Sequence, residues 1–275
     1  MAAAAGATGG DKMRLMPNIL VTGTPGTGKS TLAAELVVSS TAPRTAQYLS
    51  GWWRRAPSCV AQLRPWGLDS LRKRDRASGS AWTHIPVSDL VREKGYHGGR
   101  DEAFDTLVLD DDGEDRLLDD LEEQLAPGAR VVEFHATELF PERWFDLVLV
   151  LRCAETSVLY DRLVRRGYSE LKLQENASAE IMGVCADEAK ASYEAAAVVE
   201  LPSVTAADLE SNVGRAVAWV AHWRAEHPHG VPVGGAEPAE SSSSASAAAP
   251  EAAPAASSGS AFAMAAASLT GSPGH

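Results

Sequence analysis

The segment that most constrains the fold spans residues 19–31 and reads ILVTGTPGTGKST. A β-forming run, Asn18–Thr22, leads into it, and a helix-forming run, Thr31–Val38, leads out. Residues Gly23–Ser30 match the spacing GxxxxGK[ST], in which glycines let successive backbone N–H groups face a phosphate. An ordinary glycine-rich turn is the alternative, but these flanks are the context that confirms the motif. The segment therefore predicts a strand–loop–helix unit that binds a nucleoside triphosphate, with Lys29 on the β- and γ-phosphates and the Ser30 hydroxyl on Mg²⁺.

The rest of the chain alternates between strand-like and helix-like stretches. Short β-rich runs lie at Asn18–Thr22, His84–Val87, Arg130–Phe134, Asp146–Leu151 and Val198–Leu201. Helical patterns lie at Lys29–Val38, Asp115–Ala126, Glu155–Arg166, Ala177–Ala197 and Ala206–Glu226. Such alternation predicts βαβ units and a mostly parallel sheet with helices on both faces. We therefore expect an α/β, three-layer P-loop NTPase fold with five strands, whose ligands bind at the carboxyl ends of the strands.

A second acidic residue is expected beside the phosphate-binding loop, because Mg²⁺ needs an acid at the end of an apolar strand. The run RVVEFH places Glu133 at such a point and His135 two residues later, on the same face of an extended strand. Glu133 is predicted to hold Mg²⁺ through water, and His135 to orient an attacking water or an acceptor hydroxyl. A strand-end histidine bonded only to backbone is the alternative interpretation of His135.

Three arginines are candidates for binding phosphate. Arg162 and Arg166 are spaced i, i+4 and project from one helix face, and Arg92 follows the second strand at the acceptor side of the cleft. The planar guanidinium bonds phosphate with two N–H groups and stacks on bases. A solvated basic face is the alternative for the Arg162/Arg166 pair.

Several stretches together resemble one family, the adenylate kinase isoenzyme 6 family, a nuclear branch of the nucleoside monophosphate kinases. The matching stretches are PNILVTGTPGTGKST, SDLVR, EFHATELFPERWFD, VLRCAETSVLYDRLVRRGY and WVAHW, and FPERW with the preceding histidine is a specific signature. The resemblance extends from Pro17 to about His227. Glu133 departs from it, because the family has Asp there, and the extra methylene changes how the carboxylate reaches Mg²⁺.

The resemblance implies a nucleoside monophosphate kinase fold with a short lid at residues 165–175 and an acceptor-nucleotide segment at residues 86–109. The expected catalytic residues, from the motifs and the resemblance together, are Lys29, Glu133, His135 and Arg166. The implied ATP contacts are Gly26, Thr27, Gly28, Lys29, Ser30, Thr31, Arg162 near the adenine and Arg166 at the lid. The expected acceptor contacts are Asp89 and Arg92, and the expected Mg²⁺ residues are Ser30 and Glu133.

In function, the resemblance implies that AMP and ATP give two ADP, with other acceptor monophosphates accepted, and that ATP is also hydrolysed. It further implies a role in small ribosomal subunit and rRNA maturation, a ribosomal protein of that subunit as a partner, and a nuclear and cytoplasmic location. An ATPase assembly factor with little kinase activity is the alternative. A small-metabolite kinase of the shikimate type shares the loop but leaves FPERW unexplained.

Composition divides the chain into a domain and unusual segments. Residues 16–227 are the predicted kinase domain, flanked by a flexible Ala/Gly extension at residues 1–15 and a disordered Ala/Ser/Pro tail at residues 228–275. The net charge is −12, yet residues 41–82 hold eight basic residues against two acidic ones and four of the seven tryptophans. The resembled family connects the loop helix to the second strand in a few residues, so residues 41–82 are an insertion, which we expect to be disordered.

Two interpretations of the insertion stay open. Its arginines and tryptophans suit contact with RNA phosphates and bases. Alternatively, it is an insertion without a role, or non-coding sequence carried by the gene model. The three cysteines form no disulfide pattern, which favours a reducing, intracellular setting. No apolar run approaches the length of a membrane span, so we expect no membrane partner.

Overall fold

The computed structural model describes residues 12–41, 82–102 and 106–233. The strands are β1 (Met13–Arg14), β2 (Asn18–Gly23), β3 (Thr83–Pro86), β4 (Gly99–Asp101), β5 (Thr106–Val108), β6 (Arg130–Glu133), β7 (Leu147–Arg152), β8 (Val198–Pro202) and β9 (Val231–Pro232). The helices are α1 (Lys29–Thr41), α2 (Val87–Lys94), α3 (Asp111–Leu125), α4 (Thr156–Arg165), α5 (Glu170–Met182), α6 (Val184–Ser192) and α7 (Ala206–Glu226). A 3₁₀ turn, Glu142–Trp144, precedes β7.

The central sheet has five parallel strands in the order β3–β6–β2–β7–β8. Its five strands are those that the sequence predicts, each end within one residue of the expected position. Pro86 and Pro202 lie at the ends of the two edge strands, where a missing N–H interrupts no interior ladder. The predicted parallel α/β sheet is therefore confirmed.

Side chains of the sheet alternate between two cores, which gives the three predicted layers. Ile19, Val131 and Leu149 face one core, completed by α1 and α7. Leu20 and Val132, their neighbours in sequence, face the other core, completed by α2, α3 and α6. Because successive residues of a strand point to opposite faces, an almost wholly apolar strand such as β7, which reads LVLVLR, is what a doubly covered sheet requires. A third, smaller cluster joins α4 to α5.

Helix α1 continues three residues past the predicted end at Val38, and two other helix predictions are also wrong in their limits. The single helix expected at Ala177–Ala197 is two helices, α5 and α6, because Gly183 lies between them with a φ of 74° and ends α5 in the left-handed conformation. Helix α3 begins at Asp111 rather than Asp115, since the Asp110 side chain accepts a hydrogen bond from the backbone N–H of Gly113 and caps the helix.

The folded region extends past the predicted domain limits of 16 and 227. Strands β1 and β9 pair antiparallel, with Met13 opposite Pro232 and Arg14 opposite Val231. Residues 12–15 and 228–233 thus belong to the fold rather than to the flanking segments. Residues 1–11 and 234–275, where the extension and tail were predicted, lie outside the described residues.

Both end residues of the predicted insertion at residues 41–82 belong to the folded domain. Thr41 is the last residue of α1, and Trp82 is 6% exposed and packs in the core beside α1 and α7. Trp82 is therefore a structural residue of the domain. The predictions of disorder and of RNA contact fall on residues 42–81, outside the described residues. Across the described ranges, no helix combines the length and the apolar character needed to cross a membrane.

Candidate nucleotide-binding site

The loop between β2 and α1 adopts a backbone that glycine alone allows comfortably. Gly26 has a φ of 92°, and a Cβ there would lie 2.9 Å from the side chains of Leu159 and Leu163 on α4. At Gly23, with a φ of 137°, a Cβ would lie 2.6 Å from the carbonyl oxygen of Leu151. Both positions combine a positive φ with close neighbours, so the loop is packed tightly against β7 and α4.

Lys29 begins α1 and its ammonium group turns back over the loop. Its Nζ donates hydrogen bonds to the carbonyl oxygens of Gly23 at 2.8 Å and Thr24 at 3.2 Å. Burial lowers the pKa of Lys29, the nearby charge of Arg166 lowers it too, and the Glu133 carboxylate opposes both effects. The lysine named by the motif is thus held at the loop, within electrostatic reach of the predicted acid and the predicted lid arginine.

Glu133, the last residue of β6, meets the first turn of α1. Its Oε1 accepts a hydrogen bond from Ser30 Oγ at 2.6 Å, and its Oε2 lies 2.9 Å from Nε2 of His84. Burial by itself raises the pKa of Glu133, but the hydrogen bonds from His84 and Ser30 and the charge of Lys29 outweigh it, so the pKa lies below its usual value. The structure brings the two predicted Mg²⁺ residues into contact.

Glu180 of α5 is a buried acid that connects three elements around the loop. Its carboxylate accepts hydrogen bonds from Thr24 Oγ1 at 2.5 Å, from the backbone N–H of Cys153 at 2.7 Å and from Arg152 Nε at 3.1 Å. Glu180 is 5% exposed and Thr24 is fully buried. A paired, buried carboxylate holds its neighbours in one arrangement, so α5, the end of β7 and the phosphate-binding loop are fixed together.

Arg162 of α4, predicted to lie near the adenine, lies beside the phosphate-binding loop. Its guanidinium donates to the carbonyl oxygens of Ser203 at 2.9 Å, Val204 at 2.8 Å and Gly26 at 3.4 Å. Ser203 Oγ in turn donates to the carbonyl oxygen of Thr27 at 2.5 Å. Arg162 therefore joins the segment after β8 to the phosphate-binding loop.

The other predicted arginines are more exposed. Arg166 is the C-terminal cap of α4 and begins the four-residue connection to α5, inside the predicted lid. Arg92 of α2 donates to Asp89 Oδ1 at 2.8 Å, and its side chain is 40% exposed. The two predicted acceptor residues are thus paired with each other on one face of α2, one helical turn apart.

His135 does not share an extended strand with Glu133, so that expectation is wrong. Strand β6 ends at Glu133, and His135 lies in a bend where its ring is 4.4 Å from the ring of Phe134. Thr22 Oγ1, at the end of β2, donates to the backbone carbonyl oxygen of His135 at 3.1 Å. The histidine backbone is therefore anchored next to the start of the phosphate-binding loop.

Four residues of this site were missed by the sequence reasoning: Thr24, His84, Arg152 and Glu180. A polar residue within the short β-run THIP was the available signal for His84. No comparable signal existed for Glu180, because the Glu180–Thr24 contact joins residues 156 positions apart in the sequence.

The donor groups present at this site suit a nucleoside triphosphate with Mg²⁺. Hard cations such as Mg²⁺ prefer oxygen donors, which Ser30 and Glu133 supply side by side. A glycine-rich loop at the N-terminus of α1 and the ammonium group of Lys29 suit phosphate oxygens.

Comparison with known proteins identifies the family of this chain. Residues 19–183 match the sequence model of a family described as AAA domain. A Dictyostelium discoideum protein named adenylate kinase isoenzyme 6 homolog is 38% identical over 76% of this chain and 95% of its own length. Proteins of the same name from Schizosaccharomyces pombe and Caenorhabditis elegans are 36% and 38% identical, over 79% and 78% of this chain and 99% and 94% of their own.

Among solved structures, a gluconokinase from Sinorhizobium meliloti 1021 has a TM-score of 0.41 at 15% identity, over 78% of this chain and 99% of its own. A shikimate kinase from Bacteroides thetaiotaomicron has a TM-score of 0.39 at 16% identity, over 73% and 96%. Likeness at this level has no bearing on the activity. The three relatives named adenylate kinase isoenzyme 6 homolog are 36–38% identical to this chain over 94–99% of their own lengths. The chain therefore belongs to the adenylate kinase isoenzyme 6 family.

Proposed function

We propose that this protein transfers the γ-phosphoryl group of ATP to AMP and so forms two molecules of ADP. An oxygen of the AMP phosphate attacks the γ-phosphorus, and the bond from that phosphorus to the β–γ bridging oxygen breaks. The observation that carries the proposal is the meeting of Lys29, Ser30 and Glu133 at the phosphate-binding loop. The names of the relatives support AMP as the acceptor.

The residues of this site act by positioning and by charge. Lys29 neutralises charge on the transferring group, and backbone N–H groups of the loop hold the β-phosphate. Ser30, and Glu133 through water, would hold Mg²⁺, which would supply neutralising charge on the phosphate oxygens. Arg166 adds positive charge from the lid side, Arg162 orders the segment beside the adenine, and Arg92 with Asp89 receives the acceptor.

Hydrolysis of ATP is a second candidate function. The specific observation behind it is the hydrogen bond from Thr22 to the His135 backbone, which anchors the histidine beside the loop. A histidine there is suited to orienting water as the acceptor. The two functions are compatible, because the same loop, lysine and acid would serve either acceptor.

The cellular role that we propose is assistance in maturation of the small ribosomal subunit and its rRNA. A ribosomal protein of that subunit is the proposed partner, and nucleus and cytoplasm are the proposed locations. These proposals rest on the family resemblance of the sequence. The alternative within the same family is an ATPase assembly factor with little kinase activity.

The test is to incubate the protein with Mg·ATP, with and without AMP, and to quantify ADP, AMP and inorganic phosphate. The proposed kinase forms two ADP for each AMP consumed. ADP and phosphate that appear equally without AMP would indicate an ATPase and would overturn the kinase assignment.

Replacing the loop lysine tests the site itself. Because Lys29 supplies a charge that is needed in the transition state, Lys29→Ala should lower turnover by about 100-fold or more. Lys12→Ala is the control, since Lys12 is exposed and precedes β1, a strand that pairs with β9 and not with the strand before the loop. Turnover of Lys29→Ala within about twofold of the control would mean that the loop is not the catalytic site.

A further inference from the structure

The carboxylate of Glu133 has a different partner on each oxygen. Oε1 accepts from Ser30 at 2.6 Å, and Oε2 lies 2.9 Å from Nε2 of His84. An ionised carboxylate only accepts hydrogen bonds, so His84 Nε2 carries the proton and donates. The side chains of His84 and Glu133 are 22% and 13% exposed, which limits competition from water.

The register of the sheet produces this contact. Strands β3 and β6 are parallel, with His84 opposite Val131 and Pro86 opposite Glu133. His84 and Glu133 are therefore diagonal neighbours on one face of the sheet, a separation that long side chains can bridge. That face is also the face of Val131, which packs with α1, the helix that carries Ser30.

A glutamate at the end of a strand needs a second contact to be held in one orientation. Its three side-chain torsions allow several positions, and ordering such a side chain costs conformational entropy. A hydrogen bond to one oxygen leaves the carboxylate able to rotate about that contact. Hydrogen bonds to both oxygens, from different elements, fix its plane.

We propose that His84 is a positioning residue for the Mg²⁺-organising acid: by holding Oε2 of Glu133 it keeps Oε1 directed at Ser30. The proposal rests on the proposed Mg·ATP chemistry of the site. Residues that orient groups at a metal site typically change metal affinity by about 10–100-fold when replaced. His84 is therefore expected to act on the Mg²⁺ requirement and to leave metal-free nucleotide binding unchanged.

The test measures binding of the fluorescent analogue mant-ATP while Mg²⁺ is titrated, with a parallel measurement in EDTA. His84→Phe keeps a ring but removes the donor, whereas His84→Gln keeps a donor without the ring. We expect His84→Phe to raise the half-saturating Mg²⁺ concentration about tenfold and His84→Gln to change it by less than about twofold. Thermal melting of both variants shows whether they are folded.

If His84 only filled space in the fold, the two variants would rank the other way in half-saturating Mg²⁺ concentration: His84→Phe would resemble the wild type and His84→Gln would be impaired. That order would overturn the proposal. Glu133→Gln completes a double-mutant cycle, in which adding His84→Phe should cause no further loss if His84 acts only through Glu133. Fully additive losses would overturn the proposal as well.

The control for the proposed function is the wild type in the same titration. Binding of mant-ATP that does not respond to Mg²⁺ in the wild type would count against the Mg·ATP chemistry itself. A normal Mg²⁺ response in the wild type, with His84→Phe indistinguishable from it, would count against the role of His84 alone.

Discussion

The thiol of Cys185 lies beside the phosphate-binding loop in surroundings that suppress its reactivity. Its Sγ is 4.0 Å from Thr24 Oγ1, and the residue is 2% exposed. Burial raises the pKa of Cys185 to about 11, although the charge of Lys29 and the contact with Thr24 act in the other direction. Because the thiolate is the reactive form, Cys185 is expected to be inert at neutral pH.

This expectation is testable by alkylation with iodoacetamide, followed by mass spectrometry of the peptide that contains Cys185. With a pKa of about 11, the thiolate fraction at pH 8 is about 100-fold lower than for a thiol with a pKa near 9. The rate should rise about tenfold per pH unit from pH 7 to pH 9. The same peptide in urea-denatured protein is the control, and equal rates in the folded and denatured protein would contradict the prediction.

At the scale of elements, two glycines at turns have the same backbone conformation but different surroundings. Gly128, between α3 and β6, and Gly167, between α4 and α5, both have a φ of 75°. A Cβ at Gly128 would lie 2.3 Å from the carbonyl oxygen of Met16, whereas a Cβ at Gly167 would have no described atom within 4 Å. Alanine variants of these two glycines therefore separate the free-energy cost of the left-handed conformation from the cost of a steric clash.

Gly167→Ala should lower the free energy of unfolding by about 1 kcal/mol, the cost of placing an L-residue in the left-handed region. Gly128→Ala should lower it by about 3 kcal/mol, because a backbone oxygen must also move. Urea unfolding of both variants measures the difference. If Gly128→Ala lost no more free energy of unfolding than Gly167→Ala, the turn at Gly128 would be able to move away from the added methyl group without strain.

At the scale of the whole molecule, the buried ion pair between Arg14 and Asp146 connects strand β1 to the central sheet. Both guanidinium nitrogens of Arg14 donate to the carboxylate of Asp146, which also accepts from the backbone N–H of Asn18 at 2.8 Å. The Arg14 guanidinium lies 5.9 Å from the centre of the Trp223 ring on α7. Strand β1, the loop before β7 and the last helix therefore meet at Arg14, which is 5% exposed.

Asp146→Ala should lower the free energy of unfolding by about 3–5 kcal/mol, because it leaves the buried Arg14 charge without its carboxylate. Asp120→Ala is the matched control, since Asp120 pairs with Lys94, whose side chain is 45% exposed. Loss of an exposed pair should cost less than about 1 kcal/mol. Equal losses in urea unfolding would mean that Arg14 finds other partners or water.

Local patterns in the chain were enough to predict much of this molecule. The motif from Gly23 to Ser30, its flanks and the alternation of runs predicted the phosphate-binding loop, the order of the elements and the parallel five-stranded sheet. The acid at Glu133 was also found, because an acidic residue after an apolar strand is a local feature. Helix limits were less predictable. Gly183 ends one helix and Asp110 caps the start of another, and a helical pattern read over many residues does not show such single-residue effects.

Only the tertiary structure decided which distant side chains meet at the site. Sheet register sets His84 diagonal to Glu133, and packing of α5 brings Glu180 to Thr24. Arg162 likewise reaches Ser203 and Val204 from another element. The sequence by itself determined the fold class and the loop that binds phosphate, because backbone conformation and hydrophobic periodicity are local. Partners of buried charges depend on distances between separate elements, and these are set only when the whole core packs.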